Sequence, residues 1–364
     1  MSKIVIDARE YTTSTGRYVS RLVQYLEKLD VNNDYLILLK PQDMDACRLE
    51  NSRFTKLACP YKEFTFGEQL GFARQLRGLQ PDLVHFGMTQ QPIRYRGRVV
   101  TTVHDLTTLR FNNPAKPWPI FKFKQLVYRR VVRHVARQSA AILTGSQYVK
   151  DDLVKFSGVK PDKVTVTPEA ADPIKAAPEA LPSLDGQQFL MYVGRPTPHK
   201  NLERLIEAYA RLQPQHPGLL LVLAGRQDAN YRRIEKSVQK RGLKDVVFTG
   251  FVSEGQLRWL YENCAAYAFP SLSEGFGLPG LEAMLHGAPV VSSSATCLPE
   301  VYGQAAHYFD PLDVSSMASA IDEVLTDRSL RAELIKRGRA QAAQYSWQRL
   351  AEQTLAVYKA ALGG

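Results

Sequence analysis

Three features of this sequence point to an α/β fold of two doubly wound, parallel-sheet domains. The chain has 364 residues, too many for one ordinary core and enough for two domains of common size. Short β-branched runs bounded by turn residues alternate with longer helix-period segments, the pattern of βαβ units with strands buried on both faces. Between the two sets lies PEAADPIKAAPEALPSLDG, residues 168–186, with four prolines and almost no periodicity. It reads as an interdomain linker.

In the first half, KIVIDA opens the chain as a strand, and EYTTSTGRYVSRL turns into a helix at Gly16. YLILL, LVHF, RVVTTVHD, AAILTGS and VTVTP are the strands expected next. In the second half the strands are FLMYVGR, LLLVLAG, VVFTG, AAYAFPS and PVVSSS. A helix follows the first of these, capped near Asn201, and another resumes at LPGLEAMLHG. Pro279 suits a first helical turn, where its missing N–H is unneeded, and Gly287 suits the stop. Ligands of such sheets bind in the crevice outside the carboxyl ends of the strands.

Composition narrows the class. Hydrophobic residues make up 45% and charged residues 23%, as in a soluble globular protein. Cys47, Cys59, Cys264 and Cys297 show no C-x-x-C spacing, which argues against zinc or a disulfide framework and favours a reducing compartment. Met1 leads straight into a strand-like run, so no signal peptide is expected, and no apolar stretch approaches the ~20 residues of a membrane span. A cytoplasmic protein is the expectation. The net charge of +11 is uneven: residues 1–170 hold 27 Lys and Arg against 16 Asp and Glu, residues 171–364 hold 20 against 20. The first half therefore faces, or tolerates, something anionic.

The densest chemical signal is SLSEGFGLPGLEAMLHGAPVV, from Ser271 to Val291. Gly275 and Gly277 let a ligand approach the backbone, and a helix start there offers N–H groups and a dipole to an anion. Glu282, read as lying in the first helical turn, suits sugar hydroxyls, although such a residue can also simply stabilise the helix start. As the two carboxylates of a glycosidase, Glu274 and Glu282 would stand ~12 Å apart on a continuous helix, beyond the ~9.5 Å of inverting pairs. A hydrolase is disfavoured. In VGRPTPHKNL, Arg195 and Lys200 leave a strand end as two cations suited to pyrophosphate. TTVHDL places His104 at another strand end, with Asp105 either orienting the imidazole or capping the loop. The Asp43–Asp45 DMD imitates the D-x-D of metal-dependent transferases but reads as a solvated turn.

On the E-x7-E pair Glu274 and Glu282, together with VGRPTPHKNL, the chain resembles retaining glycosyltransferases of family 4, mannosyltransferase-like branch, over nearly its whole length. The resemblance implies the GT-B fold, two Rossmann-like domains facing across a cleft: an acceptor domain at 1–170 and a donor domain at 171–364, the last helix being free to pack back on the first. It implies catalytic roles for His104, Arg195, Lys200 and Glu274, with His104 and Glu274 on the transferred sugar and the two cations on the diphosphate. It implies donor contacts from Gly16, Val252, Gly275, Phe276, Gly277, Leu278 and Glu282, the last to the ribose. Relatives often read G-I-G-R-Y where this chain has Ser14-Thr15-Gly16-Arg17-Tyr18, so only the second glycine is kept. GDP-mannose is the first donor expected and a UDP-sugar the second, with no metal and no cofactor. The acceptor expected is a glycan or lipid-linked glycan of polysaccharide biosynthesis.

Residues 115–138 contain seven Lys and Arg and no acid, with Trp118, Phe121 and Phe123 near the start. Two readings stand: an amphipathic element on the inner face of an anionic membrane, or a helix with its apolar stripe in the core and its basic face in water. Two other functions fit less of the chain. A basic nucleic-acid-binding protein would explain the charge but leave Glu274, Glu282 and Arg195 idle, and no nucleic acid partner is expected. A nucleotide-sugar epimerase of the same fold would turn over its donor without acceptor.

Overall fold

The computed structural model describes residues 1–13, 15–111 and 118–363, with only the backbone for 118–120. Ser14, residues 115–117 of the basic stretch and the Trp118 side chain lie outside the described residues. The chain divides into two compact units. The first contains residues 1–109, 122–169 and the chain from Ser346 onward; the second contains Ala170–Tyr345 and the described part of 110–121.

In the first unit β1 (Lys3–Asp7), α1 (Gly16–Leu29), β2 (Asp34–Leu39), β3 (Phe54–Ala58), α2 (Ala73–Leu79), β4 (Leu83–Phe86), β5 (Val99–Val103), α3 (Trp118–Gln138), β6 (Ala141–Thr144), α4 (Gln147–Ser157) and β7 (Val164–Val166) follow in order. The strands form one parallel sheet in the order β3-β2-β1-β4-β5-β6-β7. The second unit runs β8 (Phe189–Val193), α5 (Leu202–Leu212), β9 (Leu220–Ala224), α6 (Ala229–Lys240), β10 (Val246–Gly250), α7 (Glu254–Asn263), β11 (Ala266–Phe269), α8 (Leu278–Leu285), β12 (Val290–Ser293), α9 (Leu298–Tyr302), β13 (Ala306–Phe309), α10 (Val314–Thr326) and α11 (Arg328–Ala342). Its parallel sheet has the order β10-β9-β8-β11-β12-β13. Each order reverses direction beside its first strand, as in Rossmann-like sheets. The central strands are buried throughout, which requires helices on both faces.

Two strands escaped the sequence reading, β3 and β13, and both are sheet edges. Their burial is partial, and Thr55, Lys56 and His307 break the apolar run that marks a central strand.

The proline-rich stretch is not a free tether. Arg258 of α7 donates to Ala176 O at 3.1 Å, and Ile174 N–H donates to His286 Nε2 at 3.0 Å. Glu179 N–H bonds Gly255 O at 3.1 Å, and its carboxylate accepts from Ser253 Oγ at 2.9 Å. From Ala170 onward this segment belongs to the second unit. The last helix, α12 (Trp347–Leu362), buries Trp347, Leu350, Ala351, Thr354, Leu355 and Tyr358 against the first unit. Tyr358 Oη stands 2.5 Å from His85 Nδ1 on β4. Among the described residues no helix is long and apolar enough to cross a membrane. All four cysteines are free and buried.

Candidate active site

In the second sheet the order reverses between β8 and β11, and the loops leaving these two strands hold most of the expected site. After β8 the chain makes a short turn at Pro198–Lys200. Asn201 then takes φ +61°, and its side-chain amide donates to Pro270 O at 3.0 Å and Pro311 O at 2.8 Å. Leu272 N–H donates to His199 O at 2.7 Å. The two loops are thus stitched together. Asn201 was expected to cap α5, but its side chain makes no cap hydrogen bond; it ties the loops instead.

Lys200 Nζ lies 2.5 Å from Glu274 Oε1 and 5.6 Å over the Phe269 ring. Glu274 is fixed through its backbone: its N–H donates to Thr296 Oγ1 at 3.1 Å, and its carbonyl accepts from the Cys297 thiol at 3.4 Å. Behind it stand Tyr192 and Tyr302. Burial first, then the charge of Glu274, pushes both phenols far above the ordinary tyrosine value, so they stay neutral. Arg195, on the same loop as Lys200, is exposed and makes no ion pair among the described residues.

Helix α8 begins at Leu278, which puts Glu282 in its second turn and corrects the first-turn reading; stabilisation of the helix start by Glu282 falls away with it. Glu282 is 8% exposed and accepts a 3.4 Å hydrogen bond from Tyr261 Oη. Gly277 has φ +93°, and a Cβ there would lie 2.6 Å from Tyr302 Oη and 2.7 Å from Leu298 Cδ2. Glycine is therefore demanded by packing and backbone conformation, where the sequence suggested ligand approach. Phe276 is buried edge-on against Tyr345 at 5.2 Å, Gly275 is buried, and Leu278 is half-buried. Val252 is half-buried in the turn after β10, just before Ser253, which opens α7 with a reciprocal capping box to Gln256.

Gly16 and His104 belong to the first unit. A Cβ on Gly16 would fall 1.9 Å from Glu10 O, so no other residue fits, and its N–H is bonded to Thr13 O at 3.0 Å. His104 packs edge-on against Tyr18, ring centroids 4.9 Å apart. Its Nδ1 lies 3.1 Å from Glu169 Oε1 and its Nε2 2.9 Å from Gly87 O. Both partners only accept, so the arrangement favours a hydrogen on each nitrogen. Burial disfavours the charged ring, but the hydrogen bond and charge of Glu169 outweigh it and hold the pKa above the ordinary histidine value. Asp105 does not orient the ring; Oδ1 accepts Thr107 N–H at 2.8 Å and caps the loop. Glu169 was missed because it lies 65 residues away, inside the proline-rich stretch.

Asp43 is not solvated. It is buried and accepts from Thr12 Oγ1 at 2.7 Å, bracing the loop after β1, while Asp45 is exposed. Among the described residues no group of three or more His, Cys, Asp or Glu could hold a metal ion.

Residues 15–174 match the family model described as Glycosyltransferase Family 4, and residues 174–341 match that described as Glycosyl transferases group 1. The O-antigen chain mannosyltransferase B of Escherichia coli is 34% identical over 278 residues, which cover 72% of this chain and 70% of that relative. Sucrose-phosphate synthase of Thermosynechococcus elongatus superposes with a TM-score of 0.78 at 20% identity, covering 99% of this chain and 98% of that one. HepE of Anabaena, solved in complex with UDP-glucose, superposes with a TM-score of 0.74 at 17% identity, covering 99% and 100%.

Proposed function

Because this chain belongs to glycosyltransferase family 4 and is a glycosyltransferase of the GT-B fold, we propose that it moves a hexose from a nucleotide-diphosphate donor to a glycan or lipid-linked glycan acceptor, retaining the anomeric configuration and requiring no metal. The observation that best supports this is the Lys200–Glu274 pair at the strand-order reversal of the second sheet, with Arg195 exposed on the same loop. Cations there suit a leaving diphosphate, and a fixed carboxylate suits the hydroxyls of the transferred sugar.

In the transfer, the bond from the anomeric carbon to the diphosphate oxygen breaks while a bond to the acceptor oxygen forms on the same face. The acceptor's proton passes to the departing diphosphate. Arg195, Lys200 and the start of α8 take up the developing negative charge, so catalysis rests on position and field. Glu282, braced by Tyr261, holds the ribose, and the main chain at Val252 meets the base. With both nitrogens engaged, His104 contributes positive charge and must release a partner to bond the donor sugar.

The name of the Escherichia coli relative puts mannose first, and the nucleotide of the HepE complex puts a UDP-sugar second. Donor turnover across GDP-, UDP- and ADP-sugars tests this, with GDP-mannose expected to be used fastest and EDTA without effect. Turnover of UDP-glucose alone would replace the donor, and an inverted product by NMR would end the retaining mechanism.

A further inference from the structure

One face of α3 is built in two halves. Its first half exposes Phe123 (68%), Leu126 (47%) and Val127 (42%). The helical spacing continues the same stripe into Arg130, Arg133, His134 and Arg137. The opposite side carries Val132, Val135 and Ala136, all buried, so the exposed apolar half is not the helix's core stripe. The helix thus has a buried core stripe and, opposite it, one exposed face that is apolar in its first half and basic in its second.

The basic half opens into a groove of about 450 Å³ lined by Arg96, Arg130, Arg133, His134, Arg137 and Gln138. No carboxylate lines it, and none of its four arginines forms an ion pair among the described residues. His134, Gln138 and Arg133 are held in its wall. His134 Nε2 bonds Ile93 O at 3.0 Å, and Gln138 donates to Tyr95 O. Arg133 stacks 4.6 Å over Phe156 and donates to Phe156 O at 3.3 Å. Lys163 adds a further cation nearby, bonded to Arg137 O at 2.7 Å. Four guanidinium groups held together without an acid repel one another unless an anion joins them, and guanidinium matches phosphate oxygens bidentately.

We propose that this groove seats phosphate groups of anionic lipids while Phe123, Leu126 and Val127 enter the bilayer interface. The exposed aliphatic pair Leu126 and Val127 favours lipid over nucleic acid, whose sites set cations beside aromatic stacking platforms. The inference does not depend on the donor chemistry proposed above.

Sedimentation with phosphatidylcholine vesicles, with and without phosphatidylglycerol, tests it on the full chain. Binding is expected only with phosphatidylglycerol, falling with salt. Replacing Arg96, Arg130 and Arg137 with glutamine should weaken it about a hundredfold. These side chains are exposed, and an unchanged thermal melt should confirm that the variant folds. Phe123→Ser with Leu126→Ser should weaken vesicle binding while leaving the thermal melt unchanged. The proposal is overturned if the wild type ignores phosphatidylglycerol vesicles at low salt or if the triple variant binds them equally. Binding of single-stranded RNA without binding of vesicles overturns it too.

Discussion

Lys200 and Glu274 are 2.5 Å apart and mostly buried, so altering one changes the surroundings of the other. Lys200→Ala and Arg195→Ala should each lower kcat by about 10²–10³-fold, as loss of other fixed electrostatic donors does. Lys200→Ala combined with Glu274→Gln should cost less than the product of the two single losses, because they share an interaction. Strictly multiplicative kinetics would separate their roles. Glu282→Gln should weaken binding of free nucleoside diphosphate, while Glu274→Gln should lower kcat and spare that affinity. Equal loss of affinity by calorimetry would mean that the ribose and hexose contacts are wrongly divided. At His104 the sign of the pH dependence is set by its raised pKa. The stability it contributes is complete below the unfolded value of 6.5 and is lost as pH rises through the folded value. Glu169→Gln should remove this component, costing about 1–2 kcal/mol at pH 6 and less at high pH. Parallel urea-unfolding profiles for the two proteins across pH 5–9 would refute the pairing. His85 works oppositely: burial first, then the charge of His104, lowers its pKa to about 3, so the fold keeps it neutral and stability is lost as pH falls from 6.5 toward 3, where only the unfolded chain takes up the proton.

Among the elements, α12 has the clearest energetic role. Ser346 caps it by accepting Arg349 N–H, and Arg98 donates to Leu362 O at 2.9 Å near its end. Leu350 and Tyr358 are wholly buried on its inner stripe. Leu350→Ala should destabilise the first unit by about 2–5 kcal/mol through lost contacts and a residual cavity. Denaturant unfolding followed by hydrogen exchange at β1 and β4 should show the loss there. Unchanged protection would mean that the sheet is stable without the last helix. The same reasoning explains the linker residues 170–179, whose bonds to α7 make them part of the second unit's surface.

At the scale of the whole molecule there are two sheets with separate cores, so calorimetric unfolding should resolve two transitions. Nucleoside diphosphate at a hundred times its Kd should stabilise the transition of the second unit by about 2.7 kcal/mol. A selective shift of the first unit would place the nucleotide on the wrong sheet.

The succession of strands and helices along the chain, and the strand-end loops that carry Arg195 and Glu274, were legible in the residues, because each depends on turn chemistry and spacing within one stretch of chain. β3 and β13 were not legible, since an edge strand buries only part of its surface and its sequence loses the apolar run. The partners were hidden for a different reason. Lys200 meets Glu274 across 74 residues, and His104 meets Glu169 across 65. Strand order decides which loops become neighbours, and no local pattern records it. The same holds for Asp43, whose burial depends on where the loop after β1 comes to rest. Backbone preference acts over a few residues and fixed the elements. Hydrogen-bond partners and buried charge depended on tertiary structure, because within each unit the parallel sheet brings its own distant loops together.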